Sequence, residues 1–262
     1  MSLGIGRRLY EHSWDCYRRV ERSWQGICSK DRRWEIWVIA RRKERLEELA
    51  GQCSTKIRVL AYDITNIDSI REIQKILEEE KPAVKVLVQA AGSGKIGSYK
   101  DLSLEEENVM IDLNCRAAVD ITKIVIPYMK PGSRIIEICS TAAFQPLQYL
   151  SVYAASKSFL YRYSRALRVE LAPKGIVVTA VCPYWIKDTE FIAKAKQSKN
   201  SSYIKSFPFA SMQTSVVRGA LRDSRMGLAV STPGLICTFD RLVGKIIPAD
   251  AMMGAWELIR HI

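Results

Sequence analysis

The sequence predicts an α/β domain in which a doubly wound parallel sheet carries helices on both faces. Short apolar runs rich in Val and Ile, with little polar alternation, recur along the chain, as in strands covered on both faces. Amphipathic stretches of helical period separate them, and strand–helix alternation implies a parallel sheet. No repeat, low-complexity tract or linker interrupts the pattern, so residues 34–262 read as one domain with a helical tail.

The first strand in the series is 34–40, WEIWVIA, followed by a helix at 43–50. A strand at 57–62 leads to a helix at 67–80, with Asn66 positioned to cap it. The strand at 84–90 precedes a long helical stretch, 104–129, with Ser103 as its cap. A strand at 134–140, a helix at 152–171 and a strand at 176–182 complete the series. Ligands in such sheets bind beyond the carboxyl ends of the strands, which directs attention to the residues following each strand.

Composition narrows the function. The chain has 262 residues, 48% of them hydrophobic, which suits a folded domain of useful core size. No run of 18 apolar residues occurs, and the start, MSLGIGRRLYEHSW, lacks the apolar core of a secretory signal. Seven cysteines lie scattered without CxxC pairing, as expected of reduced thiols in a cytoplasmic protein. With only two histidines, His12 and His261, near opposite ends, neither a histidine metal site nor a Ser/His/Asp triad is expected, and no metal is expected. The net charge of +12 raises nucleic acid as a partner, but much of it falls in residues 7–45, whose origin is in question below.

One constellation carries chemistry. Ser140 stands at the end of the strand 134–140. Thirteen residues later comes Tyr153, in VYAASKSF, and Lys157 follows four residues on. Positions i and i+4 share a helix face, so the Lys157 ammonium can stand near the Tyr153 hydroxyl and favour its phenolate. Tyr153 is then a general acid or base, and Ser140 a donor to a substrate oxygen where charge develops. Alone, a YxxxK pair is common helix decoration; the strand-end serine makes it specific.

On these residues the chain resembles the short-chain dehydrogenase/reductase family, from about residue 34 to Thr189, and the predicted sheet is then Rossmann-like. The resemblance implies hydride transfer between a nicotinamide and a small-molecule carbonyl or secondary alcohol. It gives Tyr153 as the acid or base and Lys157 as the group that lowers its pKa and binds the nicotinamide ribose. Ser140 orients the substrate oxygen, and Asn114, in MIDLNCRAAV, holds a water in the proton relay. Asp63, in YDITN, matches the family's adenine-side aspartate, with a turn cap as the bland alternative. The family's N-N-A-G reads Gln89-Ala90-Ala91-Gly92 here; Ala91 and Gly92 lie against the cofactor, Gly92 allowing close backbone approach. In CPYWIKDTEF, Tyr184 replaces the family's glycine and Thr189 takes the place of the threonine that contacts the carboxamide. Arg41 and Arg42 follow the strand 34–40 where an acid would bind the ribose of NAD; arginine suits the 2′-phosphate of NADP, so NADP is expected over NAD.

The family's first strand and glycine-rich phosphate loop are not written in this chain, so the first strand is expected to be missing or altered. Ser2-Leu3-Gly4-Ile5-Gly6-Arg7 looks like the loop's tail, but it stands too far from residue 34 for one connecting helix. Residues 17–28, YRRVERSWQGIC, offer another explanation. Read one nucleotide later, their permitted codons spell T-G-A-S-S-G-(A or V)-G-(K or R)-E-F-A, the missing loop in its proper place. Residues 1–33 are therefore read as an aberrant segment translated out of frame, and its positive charge loses functional meaning.

In the carboxyl-terminal part, residues 192–214 read as a substrate-covering loop with a helical piece, and 235–259 as amphipathic helix. The tail is expected to pack on the body or on a second copy; membrane contact is the weaker reading because few cations flank it. Two rivals accompany the enzyme reading. A degenerate relative without its phosphate loop would be a non-catalytic scaffold or binding protein, and a basic arm would bind nucleic acid with steep salt dependence.

Overall fold

The structure, a computed structural model, describes residues 3–4, 7–11, 35–53, 55–205 and 210–260. The described strands are β1 (Leu3–Gly4), β2 (Arg7–Glu11), β3 (Glu35–Ile39), β4 (Lys56–Leu60), β5 (Val84–Gln89), β6 (Met129–Ile138), β7 (Val177–Val181) and β8 (Val230–Ser231). They form one sheet in the order β4-β3-β2-β5-β6-β7-β8. Every neighbouring pair on this path is parallel; β1 alone pairs antiparallel, with β2. The direction of strand succession reverses at β2, which makes the space beyond the β2, β3 and β5 ends a topological switch point.

The helices are α1 (Lys43–Gln52), α2 (Ile67–Glu80), α3 (Leu104–Ile111), α4 (Ala117–Val125), α5 (Ser151–Leu171), α6 (Phe191–Ala195), α7 (Gln213–Arg225), α8 (Leu235–Ile246) and α9 (Ala249–Ile259). The strand pleat explains how two helical layers are covered. In β3, Trp37 and Ile39 face one layer with Ile73 and Leu77 of α2, while Ile36 and Val38 face Leu46 and Leu49 of α1. In β5, Leu87 joins α2, α4 and α5, while Val86 and Val88 meet Val216 and Ala220 of α7. Continuous apolar runs are thus required because both faces are buried.

Two expectations change. The sheet has no gap at its centre: Arg7–Glu11 lies between β3 and β5, with Glu11 opposite Ile39 and Arg8 opposite Val86. The first strand is therefore altered rather than missing, and it joins the sheet from before residue 34. The helical stretch 104–129 is not one helix. It breaks into α3, a π-turn at Asp112–Arg116, α4 and a 3₁₀ turn at Ile126–Tyr128, after which Met129 already belongs to β6. Pro127 cannot continue the helical hydrogen bonding.

The predicted caps are present. Asn66 Oδ1 accepts from the Asp68 N–H at 2.8 Å, and Ser103 and Glu106 form a reciprocal capping box. The tail splits at Pro248 into α8 and α9. Among the described residues no helix is long and apolar enough to cross a membrane.

Candidate active site

The carboxyl ends of the parallel strands open onto a cleft of about 1020 Å³, at the upper end of the roughly 300–1,000 Å³ usual for ligand pockets. Arg41, Arg42 and Asp63 line one end. Gly92, Ser140, Tyr153, Lys157 and Thr189 line the middle, and α8 and α9 wall the other end. The sequence-predicted residues thus share one cavity, apart from Asn114 and Ala91, which stand behind it.

Ser140 ends the β6 path in extended backbone, and its Oγ accepts from the Ala142 N–H at 3.1 Å. It lies close enough to the Tyr153 hydroxyl to favour the phenolate. Tyr153 sits in the first turn of α5, buried against Ile96, Leu150 and Ala154, with Phe191 tilted across its ring at 5.5 Å. Burial pushes its pKa up to about 12, although the Ser140 hydroxyl pulls the other way. The expected depression by Lys157 is not met here: desolvation of the phenolate leads the shift, and Lys157 is not among the groups that move it.

Lys157, one turn along α5, is buried as well, which lowers its pKa. Its ammonium donates to the Ile138 carbonyl at 2.8 Å. Gly92 makes the room for it: a Cβ there would lie 3.2 Å from Lys157 Nζ and 3.4 Å from Asn114 Oδ1. Gly94 is tighter still, since a Cβ would lie 2.9 Å from Tyr153 Cδ2 and 2.7 Å from Phe191 Cζ. The chain therefore passes the lysine at residue 92 and the phenol at residue 94 with no easy space for a Cβ at either.

Asn114 lies in the π-turn, fully buried; such turns inside helices often sit at functional sites. Its amide donates to the Ser93 carbonyl and to Ser156 Oγ, both at 2.8 Å, and its Oδ1 accepts from the Ser93 N–H at 2.8 Å. The side chain thus clamps the strand-end loop onto α5, beside the lysine. Ser93, Ser156 and Gly94 were not singled out from sequence, because only the fold brings them to Asn114 and Tyr153.

At the other end, Asp63 accepts from Thr65 at 3.0 Å (N–H) and 2.7 Å (hydroxyl) and pairs with Arg41 at 3.7 Å. Burial pushes its carboxyl up, but the Thr65 hydrogen bonds and the Arg41 charge outweigh that and hold it below its ordinary range. The turn-cap role and a place in the cleft coexist. Arg42 pairs at 3.6 Å with Glu190, which also binds Arg45 at 2.8 Å and Lys194 at 2.6 Å. Lys194 and Arg45 draw the Glu190 carboxyl down to about 2. Thr189 lines the cleft, yet its hydroxyl also donates to the Ile186 carbonyl at 3.1 Å and accepts from the Phe191 N–H at 3.3 Å. Glu190 gave no signal in sequence as a cleft residue, since Arg42 and Arg45 lie far away in the chain and only Lys194, at i+4, is local.

The phosphate-loop reading at 17–28, His12 and the rest of the basic segment at 12–34 lie outside the described residues, as does His261. Among the described residues no group of three or more His, Cys, Asp or Glu is arranged to hold a metal ion.

A sequence model described as short chain dehydrogenase matches residues 30–200. The chain belongs to the short chain dehydrogenase family. A sulfoacetaldehyde reductase of Chromohalobacter salexigens is 32% identical over 167 residues, 62% of this chain and 66% of that protein. An uncharacterized oxidoreductase of Staphylococcus epidermidis is 27% identical over 150 residues, 56% of this chain. The chain spans about 65% of the length of these first curated relatives. Among solved structures, a short-chain dehydrogenase from Sphingobium yanoikuyae in complex with NADPH superposes with a TM-score of 0.74 at 23% identity, covering 94% of both chains. One from Streptomyces avermitilis gives 0.75 at 19% identity, covering 97% of this chain and 96% of that one. The Rossmann-like fold is thus that of known short-chain dehydrogenases.

Proposed function

We propose that this short-chain dehydrogenase is an oxidoreductase acting on a small carbonyl compound or secondary alcohol with a nicotinamide dinucleotide, NADP in preference to NAD. The observation that carries the reading is the buried Ser140–Tyr153 pair facing the cleft, with Lys157 one helical turn away and glycines 92 and 94 packed closely against the lysine and the phenol. The S. yanoikuyae relative in complex with NADPH supports the choice of cofactor, and the C. salexigens relative, a reductase of an aldehyde by name, supports the carbonyl.

The cleft fits an extended dinucleotide in size and in its glycine-floored middle. Arg41 and Arg42 would hold the 2′-phosphate, Asp63 the adenosine end, Ala91 and Gly92 the backbone approach, Lys157 the nicotinamide ribose and Thr189 the carboxamide. When bound, the dinucleotide supplies or accepts the hydride. Ser140 orients the substrate oxygen, and Tyr153 gives its proton to that oxygen in reduction or takes it back in oxidation. With its pKa near 12 the phenol is protonated at neutral pH, which suits it to the acid role. Asn114 fixes the loop that faces Lys157 and would anchor the relay that refills the proton.

We further propose that residues 1–33 carry an out-of-frame reading of the phosphate loop; the nucleotide sequence of codons 17–28 tests this directly. A cytoplasmic location fits the free thiols of Cys53, Cys115, Cys139, Cys182 and Cys237. A homo-oligomer built through the α8–α9 tail fits its apolar surface better than a membrane does.

The cofactor choice has a simple test. NADPH and NADH are titrated by their fluorescence into the chain with its glycine loop restored. NADPH should bind at least 10-fold tighter than NADH, and a paired Arg41→Ala, Arg42→Ala change should erase the difference, each charge-assisted phosphate contact being worth about 1.5–3 kcal/mol. Equal affinities before the change would defeat the NADP assignment.

A further inference from the structure

The far wall of the cleft, beyond Ser140, holds two acceptors that hydride chemistry does not use. Asp240 lies on α8 and lines the cavity, half-buried among apolar neighbours such as Phe239, Val243 and Met252. Its carboxylate lies close enough to the side chain of Thr141, the residue after Ser140, for that hydroxyl to favour the charged form. Gln145, four residues further on, also lines the cavity, and its buried Oε1 meets no donor among the described residues. The α8 backbone is pressed onto this turn: a Cβ at Gly244 would lie 3.2 Å from the Phe144 carbonyl oxygen. The two acceptors therefore belong to one wall, adjoining the serine that would bind the reacting oxygen.

Among the described residues no Lys or Arg forms an ion pair with Asp240. Arg241, the next residue, is rooted about 100° round the helix at 3.6 residues per turn, and its buried Nε meets no hydrogen-bond partner among the described residues. The groups that face Asp240 are the Thr141 hydroxyl, the Tyr184 phenol from the loop after β7 and the Cys237 thiol on its own helix. Burial raises the pKa of both Tyr184 and Cys237, so both are neutral at pH 7. An unpaired carboxylate in apolar surroundings is costly unless a cation or donors reach it.

We propose that Asp240, with Gln145 lining the same cavity, is a specificity site for a cationic amino group on the substrate, a short distance from the carbonyl or alcohol carbon. This rests on the carbonyl-site reading above and narrows its substrate class to amino ketones and amino alcohols. The Asp240 carboxyl is itself pushed up to about 6 by burial, against the Thr141 hydroxyl. It is charged at pH 7.5 and neutral at pH 5, whereas an alkylammonium keeps its charge throughout, so the attraction is present above about pH 6 and lost below it.

The test compares three phenyl ketones of nearly equal shape: 3-aminopropiophenone, 3-hydroxypropiophenone and butyrophenone. Their dissociation constants for the chain as it stands are measured by ligand-observed NMR. At pH 7.5 the amino ketone should bind about 10-fold tighter than butyrophenone, with the hydroxy ketone between them. The preference should fall below about 2-fold at pH 5, and at either pH in Asp240→Asn, which keeps the shape and the hydrogen bonding but not the charge. A preference that survives Asp240→Asn, or is absent from the unmodified chain, overturns the proposal. Butyrophenone binding separates this failure from that of the underlying site. If Ser140→Ala weakens it, the carbonyl site stands and only the amine assignment falls; if Ser140→Ala leaves it unchanged, both fall.

Discussion

Replacing Tyr153 by phenylalanine is expected to lower ketone reduction about 10²–10⁴-fold in the chain with its glycine loop restored, the usual contribution of a positioned proton donor. The substitution removes one oxygen and leaves the ring against Ile96, Leu150 and Phe191, so the fold and the ketone site persist. KM should change little and kcat should carry the loss, because the proton is transferred only in the transition state. The raised pKa adds a direction. The phenol stays protonated until pH approaches about 12, so reduction should be flat from pH 6 to 9, while alcohol oxidation, which needs the phenolate, should rise with pH. Steady-state kinetics in both directions measure this. Reduction at the unmodified rate in Tyr153→Phe would remove Tyr153 from the acid role.

The second large effect lies in the sheet rather than the cleft. Glu137 is fully buried in β6, and burial pushes its carboxyl up to about 8 against the Thr122 hydrogen bond and the Lys157 charge. Thr122 donates to its Oε1 at 3.3 Å, while Oε2 has no partner among the described residues. A carboxyl whose folded pKa exceeds its unfolded value of 4.5 keeps its proton in the native state after the unfolded chain has lost it. The native state then binds more protons, and stability falls as pH rises from about 4.5 to about 8. The loss is on the order of 3–5 kcal/mol across that window, at about 1.36 kcal/mol per pKa unit. Glu137→Gln is neutral at every pH, so it should flatten the slope and be the more stable protein at pH 8. Urea unfolding at pH 5, 6.5 and 8 reads both. Parallel slopes for the two proteins would show that Glu137 is not the buried acid.

Both effects depend on residues whose surroundings the sequence reveals unequally. The parallel sheet was legible because strands buried on both faces must be apolar at every position, as Ile36–Ile39 and Val86–Val88 are. The Tyr153, Lys157 and Ser140 grouping was legible because two of its members share a helix turn and the third ends a strand. Glu137 was hidden inside an apolar run, where its burial depends on which face of β6 meets α4. The break at Asp112–Arg116 was hidden because a π-turn costs one extra residue and leaves no mark on the apolar period. The direction of the Tyr153 shift was misread, since sequence spacing places a lysine one turn away but does not reveal the desolvation that leads the shift. Arg7–Glu11 lacks an apolar strand pattern, and its place between β3 and β5 follows from pairing alone.

The central claim is that the cleft transfers hydride to a carbonyl carbon while Tyr153 supplies the proton. The most direct test supplies the loop-restored chain with NADPH carrying deuterium at the transferable C4 position, together with 3-aminopropiophenone, and follows the alcohol by mass spectrometry. The account predicts one deuterium on the carbinol carbon of a single enantiomer, with the hydroxyl proton drawn from solvent. Saturable NADPH binding without any labelled alcohol, from this ketone or from butyrophenone, would contradict it.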